Sequence, residues 1–345
     1  MPPIEPINPI DYPAWDDLLI SCPGHTFFHS SAWAKVLHEA YQYTPSYFTV
    51  FDNGQLLALM PVMEVNSFLT GKRGVSLPFT DYTDAIITDR FSFMKLFDRI
   101  TEYGENHGWR SIEFRGGQNL PPLTQTSSSY LRHVLHLSEN AGEIFSRFRA
   151  SVKRNIRSAI KNGVKVEICR TLDSIKEFDQ LNHITRKRHG IPPQPFYFFK
   201  KVYEHIISRN LGFVVLASYR GNAIAGAVFF HFGKGAFFKY GASDESFFHL
   251  RANNLVMWEA IRWYSENGYE SISFGRTEPG NEGLRRFKAS WGSEEWIERY
   301  YKYDFKKNEF TGESRGIRKS CHPVFRKMPL PLLRAIGFLF YKHVG

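Results

Sequence analysis

The chain repeats itself. Residues 96–116 read LFDRITEYGENHGWRSIEFRG, and residues 257–276 read MWEAIRWYSENGYESISFGR. Aligned at Gly108 and Gly268, the two segments also match at Ser111 and Ser271, Ile112 and Ile272, and Phe114 and Phe274. Each reads as an amphipathic helix stopped by a glycine and followed by a short alternating strand. Each is preceded by a hairpin pattern: YFTVFDNGQLLALMPVMEV with Asn53-Gly54 at the turn, and FVVLASYRGNAIAGAVFFHF with Gly221-Asn222 at the turn. Strand, turn, strand, further β-structure, helix and strand thus occur in that order twice. This predicts two α/β (α+β) domains of one fold, each with a mixed sheet. The length of 345 residues agrees, because one hydrophobic core seldom spans so much chain. The expected division is a first domain over 1–145, a second over 146–312, and a tail over 313–345 that is basic and then apolar. Clefts between such domains are a usual place for a ligand.

The charge balance narrows the partners. Lys and Arg number 44 against 34 Asp and Glu, a formal net charge of +10. Such a balance points to anions: nucleic acid, phosphorylated metabolites or an acidic membrane surface. The three cysteines, Cys22, Cys169 and Cys321, are far apart and odd in number, which suits neither a disulfide framework nor a metal site. The opening MPPIEPINPIDYPAW lacks a basic start followed by an apolar run, and no stretch reaches eighteen apolar residues, so the cytoplasm is the expected compartment. No GxxxxGK[ST], HExxH, paired CxxC or GxSxG occurs, and no metal-ligand spacing, so no metal is expected.

Within this frame, the helix pattern NEGLRRFKASWG (281–292) is the least ordinary stretch. Leu284, Phe287 and Trp291 form an apolar stripe, and Lys288 falls on it. A buried ammonium is costly unless it is paired or has a task. Its partner is either Glu282 or Glu294, or else an anion or a developing oxyanion. A second helix, SVKRNIRSAIKNG (151–163), has Ser151 as its expected cap and Val152, Ile156, Ala159 and Ile160 as its buried stripe. Lys153, Arg157 and Lys161 follow at i, i+4 and i+8 with Arg154 beside them, either as a solvated face or as a track for phosphates. TRKRHG (185–190) gathers Arg186, Lys187, Arg188 and His189 at a helix C-terminus, where cations are favourable whatever their use. The loop SLPFTDYTD presents Asp81, Tyr82 and Asp84, and Lys239 and Tyr240 end a Phe-rich strand. The last residues, 315–345, are expected either to dock on their own domain or to lie on an anionic membrane.

From FHSSAWAKVL near the start, through KRNIRSAIKNGVKV and TRKRHG, to FGRTEP and GLRRFKASWG, most of the chain resembles the Fem family of peptidoglycan aminoacyltransferases. The resemblance implies two GNAT-like domains, and transfer of an amino acid from aminoacyl-tRNA to an amino group of a peptidoglycan precursor. Under it Lys288 stabilises the tetrahedral oxyanion, Lys35 and Arg188 hold precursor phosphates, and Tyr240 lines the cleft. No heptad run is present, so the chain is similar to the short members without a coiled-coil arm. Where those members show an acidic residue after the first-domain strand, this sequence has Arg115, which cannot accept a proton; either Asp81 or Asp84 would substitute, or the amine would lose its proton without an enzyme base. The candidate catalytic set is therefore Lys288, Asp81 and Tyr240. Lys35, Arg188, Tyr82, Asp84, Arg251 and Arg276 are the candidate substrate-binding residues, and Lys153, Arg154, Arg157 and Lys161 the tRNA or phosphate track. No resident cofactor is implied, since the cosubstrate brings the activated acyl group, and the acceptor would be a nucleotide- or lipid-linked precursor at the inner face of the membrane. Acyl-CoA-dependent N-acylation of an amino sugar or surface polysaccharide is the alternative. It is weakened because RANNLV (251–256) keeps Arg251 of the pyrophosphate-binding turn but has Asn254 and Val256 in place of glycines. A third reading is a non-catalytic RNA-binding module built on the basic helix.

Overall fold

The structure, a computed structural model, describes residues 3–88, 92–117, 124–312 and 322–345. The chain forms two compact units: residues 1–130 with 297–315 and 340–345, and residues 131–296 with 316–339.

The first unit begins with β1 (Glu5–Ile7), α1 (Trp15–Ile20) and α2 (Ser31–Tyr41), the last capped by the Ser30 hydroxyl, which accepts from the Trp33 N–H. The hairpin β2 (Thr44–Asp52) and β3 (Gln55–Ser67) is closed by Asn53 and Gly54 at φ 48° and 80°, the left-handed pair of a type I′ turn. After β4 (Gly71–Val75) and the short β5 (Ile86–Ile87), α3 (Phe93–Asn106) leads into β6 (Ser111–Arg115).

The next elements are β7 (Ser128–His136), α4 (Ala141–Arg147), α5 (Ala150–Lys161), β8 (Lys165–Cys169), α6 (Leu172–His189) and α7 (Phe196–His205). The strands β9 (Gly212–Tyr219), β10 (Asn222–Phe232) and β11 (Gly235–Ser243) then precede α8 (Ala252–Glu266), β12 (Ser271–Thr277) and α9 (Glu282–Ala289). The chain closes with β13 (Glu294–Asp304), β14 (Glu309–Phe310), α10 (His322–Lys327) and α11 (Leu330–Val344). No described helix is long and apolar enough to cross a membrane.

The expected repeat is present in strand order. The first unit runs β1-β2-β3-β4-β6-β13, and the second runs β8-β9-β10-β11-β12-β7. In each, the single parallel step is the one spanned by the repeated helix, β4 to β6 and β11 to β12. The helix ends match as well. Gly108 and Gly268 are left-handed, at φ 69° and 73°. The next N–H reaches back five residues in both, Trp109 to Gly104 O and Tyr269 to Tyr264 O, at 2.8 and 3.1 Å. The units do not divide at 145/146 as linear reading expects. β7, which follows β6 in sequence, pairs with β12, and β13, which follows β12, pairs with β6. Each sheet thus takes its sixth strand from the sequence that adjoins the other.

Three local expectations shift. The second hairpin turns at Arg220-Gly221 (φ 50° and 81°), with Tyr219 opposite Asn222, one residue earlier than expected. The basic helix starts at Ala150 with Arg149 at its N-cap and no side-chain cap, so Ser151 lies inside it. Val152, Ile156 and Ala159 are buried, but Ile160 is 58% exposed, because it lies at the edge of the stripe that those three define. Of the tail, residues 313–321 lie outside the described residues, as does Cys321.

Candidate functional site

The site grows from α9. Asn281 caps it, its side-chain oxygen accepting from the Leu284 N–H at 3.1 Å. Leu284 and Phe287, the expected apolar stripe, are half-buried, whereas Lys288 is the buried residue of this helix, at 3% exposure. Its ammonium donates to the carbonyls of Gly275 (2.9 Å) and Arg276 (3.0 Å). Those carbonyls sit in an irregular stretch of β12. Gly275 is left-handed at φ 69°, and the register against β7 slips between Ser273 and Arg276. The parallel pairing of β11 with β12 covers Gly235–Phe237 against Ser271–Ser273, after which the two strands part. Lys288 therefore fixes β12 just past the point where it leaves β11. Of the two carboxylates expected as its partners, Glu282 faces Arg285 (3.5 Å) and Arg286 (4.0 Å), and Glu294 faces His136 (3.3 Å).

One turn back on α9, Arg285 grips Glu295 with two hydrogen bonds, Nε to Oε2 at 2.7 Å and Nη2 to Oε1 at 2.8 Å. The same Oε2 lies 3.2 Å from Nε2 of His133, which is fully buried on β7 opposite the slipped register of β12. Burial lowers the His133 pKa, and the charge of Lys288 lowers it further, against the pull of Glu295. The imidazole is neutral near pH 7, and among the described residues neither of its nitrogens has a hydrogen-bond partner in good geometry. Sequence reading missed His133. The available signal was alternation: Leu131, His133 and Leu135 share one phase of a strand, and the apolar neighbours point that phase inward.

A pocket of about 220 Å³ opens at the start of α8, lined by Ser243, Asp244, Phe247, Phe248, Arg251, Asn254 and Phe287 among others. Arg251 occupies the helix N-cap in a left-handed conformation and, among the described residues, no side chain caps the first turn, so part of the helix's positive end is open. Arg188 stacks over the Phe248 ring, its guanidinium carbon 4.7 Å from the centroid. The C-terminal end of α6 is tied to the pocket wall by Thr185, whose hydroxyl accepts from the Ser243 N–H (2.8 Å) and donates to the Ser243 carbonyl (3.0 Å). Arg251 thus lines the pocket, and Arg188, far from it in sequence, lies against Phe248 of the pocket wall. Helix α9 reaches it through Phe287, the residue before Lys288.

The remaining candidates lie elsewhere. Tyr240 is not among the residues lining the α8 pocket; it packs edge-on against Phe198, Phe199 and Phe230. Lys35 is half-buried on α2 in the first unit. Asp81, Tyr82 and Asp84 follow β4 in the same unit, on a loop fixed through its main chain by Tyr300, which donates to Asp81 O, and by His29, whose Nε2 lies 3.0 Å from Asp84 O. Arg115, in the place of the expected acid, donates to Glu113 (2.7 Å) and to Leu77 O (3.3 Å), a structural pairing. On α5, Arg154, Arg157 and Lys161 are exposed, while Lys153 donates to Ser146 O at 2.6 Å.

Residues 146–296 match the family model described as acetyltransferase (GNAT) domain. The second unit is an acyltransferase domain of that class. No curated protein matches the chain. The crystal structure of FemX superposes with a TM-score of 0.66 at 14% identity, covering 84% of this chain and 94% of FemX. The C-terminal domain of a protein assigned as a lysylphosphatidylglycerol synthetase in Agrobacterium fabrum gives 0.54 at 15% identity, covering 78% and 86%. A tandem GNAT protein from the clavulanic acid biosynthesis pathway gives 0.54 at 8% identity, covering 88% and 99%. In fold, the chain resembles FemX and the tandem GNAT protein.

Proposed function

We propose that the protein transfers an aminoacyl group from aminoacyl-tRNA to an amino group of an anionic cell-envelope precursor. The observation that carries this reading is the buried ammonium of Lys288, held on two carbonyls where β11 and β12 part. An acyl ester laid at that parting would have a fixed positive charge beside its carbonyl. The attacking amine forms the new C–N bond, negative charge gathers on the carbonyl oxygen, and the ester C–O bond breaks as the ribose hydroxyl leaves with a proton. Charge placed beforehand against that oxygen lowers the barrier. Arg188 and Arg251 would hold donor or acceptor phosphates at the α8 pocket, with the exposed cations of α5 extending the attraction to a long polyanion. Tyr240, Arg276 and Lys35 remain candidates for substrate contact, with Tyr82 and Asp84 from the loop after β4. Asp81 is proposed to take the proton from the incoming ammonium, with Asp84 as the alternative.

Two features favour aminoacyl-tRNA over an acyl-CoA. The first turn of α8 carries Asn254 where close approach of a pyrophosphate calls for glycine, and the Asn254 side chain is buried there. FemX and the lysylphosphatidylglycerol synthetase, whose name implies a lysyl transfer, share the fold. The reading places the enzyme in the cytoplasm, where aminoacyl-tRNA is made. The test offers the protein labelled aminoacyl-tRNA or labelled acetyl-CoA together with UDP-linked muropeptides. Label should pass to the muropeptide amine from aminoacyl-tRNA alone. Transfer from acetyl-CoA alone would replace this reading with the acyl-CoA one, and tight tRNA binding without transfer from either donor would leave an RNA-binding module.

A further inference from the structure

Helix α11 packs Leu333, Ile336 and Gly337 inward and turns a second apolar stripe outward. Leu332, Ala335 and Leu339 recur at i, i+3 and i+7 with Phe338 beside them, and all four are exposed, Phe338 at 67% and Leu339 at 57%. A helix of a soluble domain ordinarily packs such a stripe inward. The last turn is anchored to the first unit largely by polar contacts instead. The Tyr43 hydroxyl donates to Lys342 O (3.0 Å), Arg73 donates to His343 O (3.1 Å), and His343 Nδ1 meets the Ser67 hydroxyl at 3.0 Å. The same anchor adjoins a second exposed apolar feature, the tip between β3 and β4. There Phe68 is 81% exposed and Leu69 stands beside it. Local contacts hold the tip. The Ser67 hydroxyl accepts from the N–H groups of Leu69 and Thr70, at 3.2 and 3.1 Å, and the Phe68 ring sits edge-on to His343 at 4.4 Å.

The charge around these side chains selects their partner. From 322 to 345 the sequence has Arg326, Lys327, Arg334 and Lys342, all exposed, and no Asp or Glu. We infer that the exposed face of α11, with the cations of α10 and α11, forms a docking surface for an anionic lipid bilayer, with the apolar side chains entering the headgroup boundary and the cations meeting lipid phosphates. A second copy of the chain fits less well. A two-fold contact through this face would set the same four cations against each other with no carboxylate in the segment to offset them. At fifteen residues α11 is too short to span a bilayer, so the mode is interfacial. This inference does not depend on which acyl donor is used.

The test is flotation of the full-length protein with vesicles of phosphatidylcholine alone or mixed with phosphatidylglycerol. The wild type should float with the anionic vesicles at low salt, weakly with the neutral ones, and less as salt rises. Phe338→Ser/Leu339→Ser and Arg326→Glu/Lys327→Glu should each cut partitioning at least about tenfold. All four side chains are exposed, so circular dichroism and melting should stay at wild-type values; the charge pair keeps the test decisive if the apolar pair disturbs the fold. Failure of the wild type to bind anionic vesicles, wild-type binding by the variants, or a dimer in solution that Phe338→Ser/Leu339→Ser dissociates would each overturn the proposal.

Discussion

At the scale of single residues, Lys288 joins stability to chemistry. Its two hydrogen bonds end on carbonyls of β12, so removing the amine leaves acceptors unsatisfied in a largely buried place. Lys288→Met is expected to lower stability by about 2–4 kcal/mol, read as a fall in the urea midpoint. Under the proposed function it should also cut single-turnover transfer by at least about 100-fold. Full transfer by a folded Lys288→Met protein would remove this residue from the chemistry. Lys288 was legible in the sequence because a cation on an apolar stripe breaks the helical pattern. His133 was not, because a strand pattern of five or six residues tolerates one polar member, and its link to Glu295 crosses more than a hundred and fifty residues of chain. Arg188 and Arg251 were legible as cations, but only folding sets Arg188 against Phe248 in the wall of the pocket that Arg251 lines.

At the scale of elements, the bend in β12 decides how the site is held. Gly275 at φ 69° lets the strand swing its carbonyl toward Lys288, a conformation that an L-residue adopts only with strain. Gly275→Ala should therefore cost about 1–2 kcal/mol in the urea midpoint, and should slow transfer beyond what an equally destabilising substitution remote from β12 does. If transfer falls only in step with stability, the bend has no part in positioning Lys288. The hairpins and the paired helix-glycine-strand segments were readable because each rests on local chemistry: a left-handed turn, a glycine stop, alternation. The one-residue error at the second turn has a local cause too. Arg220 takes φ 50°, which sequence reading assigns more readily to Gly or Asn.

At the scale of the whole molecule, the exchange of sixth strands escaped sequence reading. Periodicity identifies β7 and β13 as strands but carries no record of which sheet receives them. The summed titration of buried groups is a whole-molecule property as well. Burial holds His29, His183 and His231 at a pKa of about 4, below the ordinary 6.5. Between those values the unfolded chain binds three protons that the folded chain refuses, so stability is complete above pH 6.5 and is lost as pH falls toward 4. Asp179, 3.4 Å from His183, works in the opposite sense: burial raises it from 3.8 to about 7, against the pull of Arg334. Across pH 4–6.5 the folded chain retains that proton, which offsets one of the three. The net two protons correspond to roughly 3 kcal/mol of stability per pH unit. Urea midpoints should rise steeply from pH 4.5 to 6.5 and change little above 7. Asp179→Asn, which removes the cost of ionising a buried carboxyl, should raise the midpoint at pH 8 while leaving the one at pH 4 nearly unchanged. Because His29 belongs to the first unit and His183 and His231 to the second, both units should weaken in the same acid window. A midpoint that is flat from pH 4.5 to 6.5 would mean that these imidazoles are not held neutral by burial.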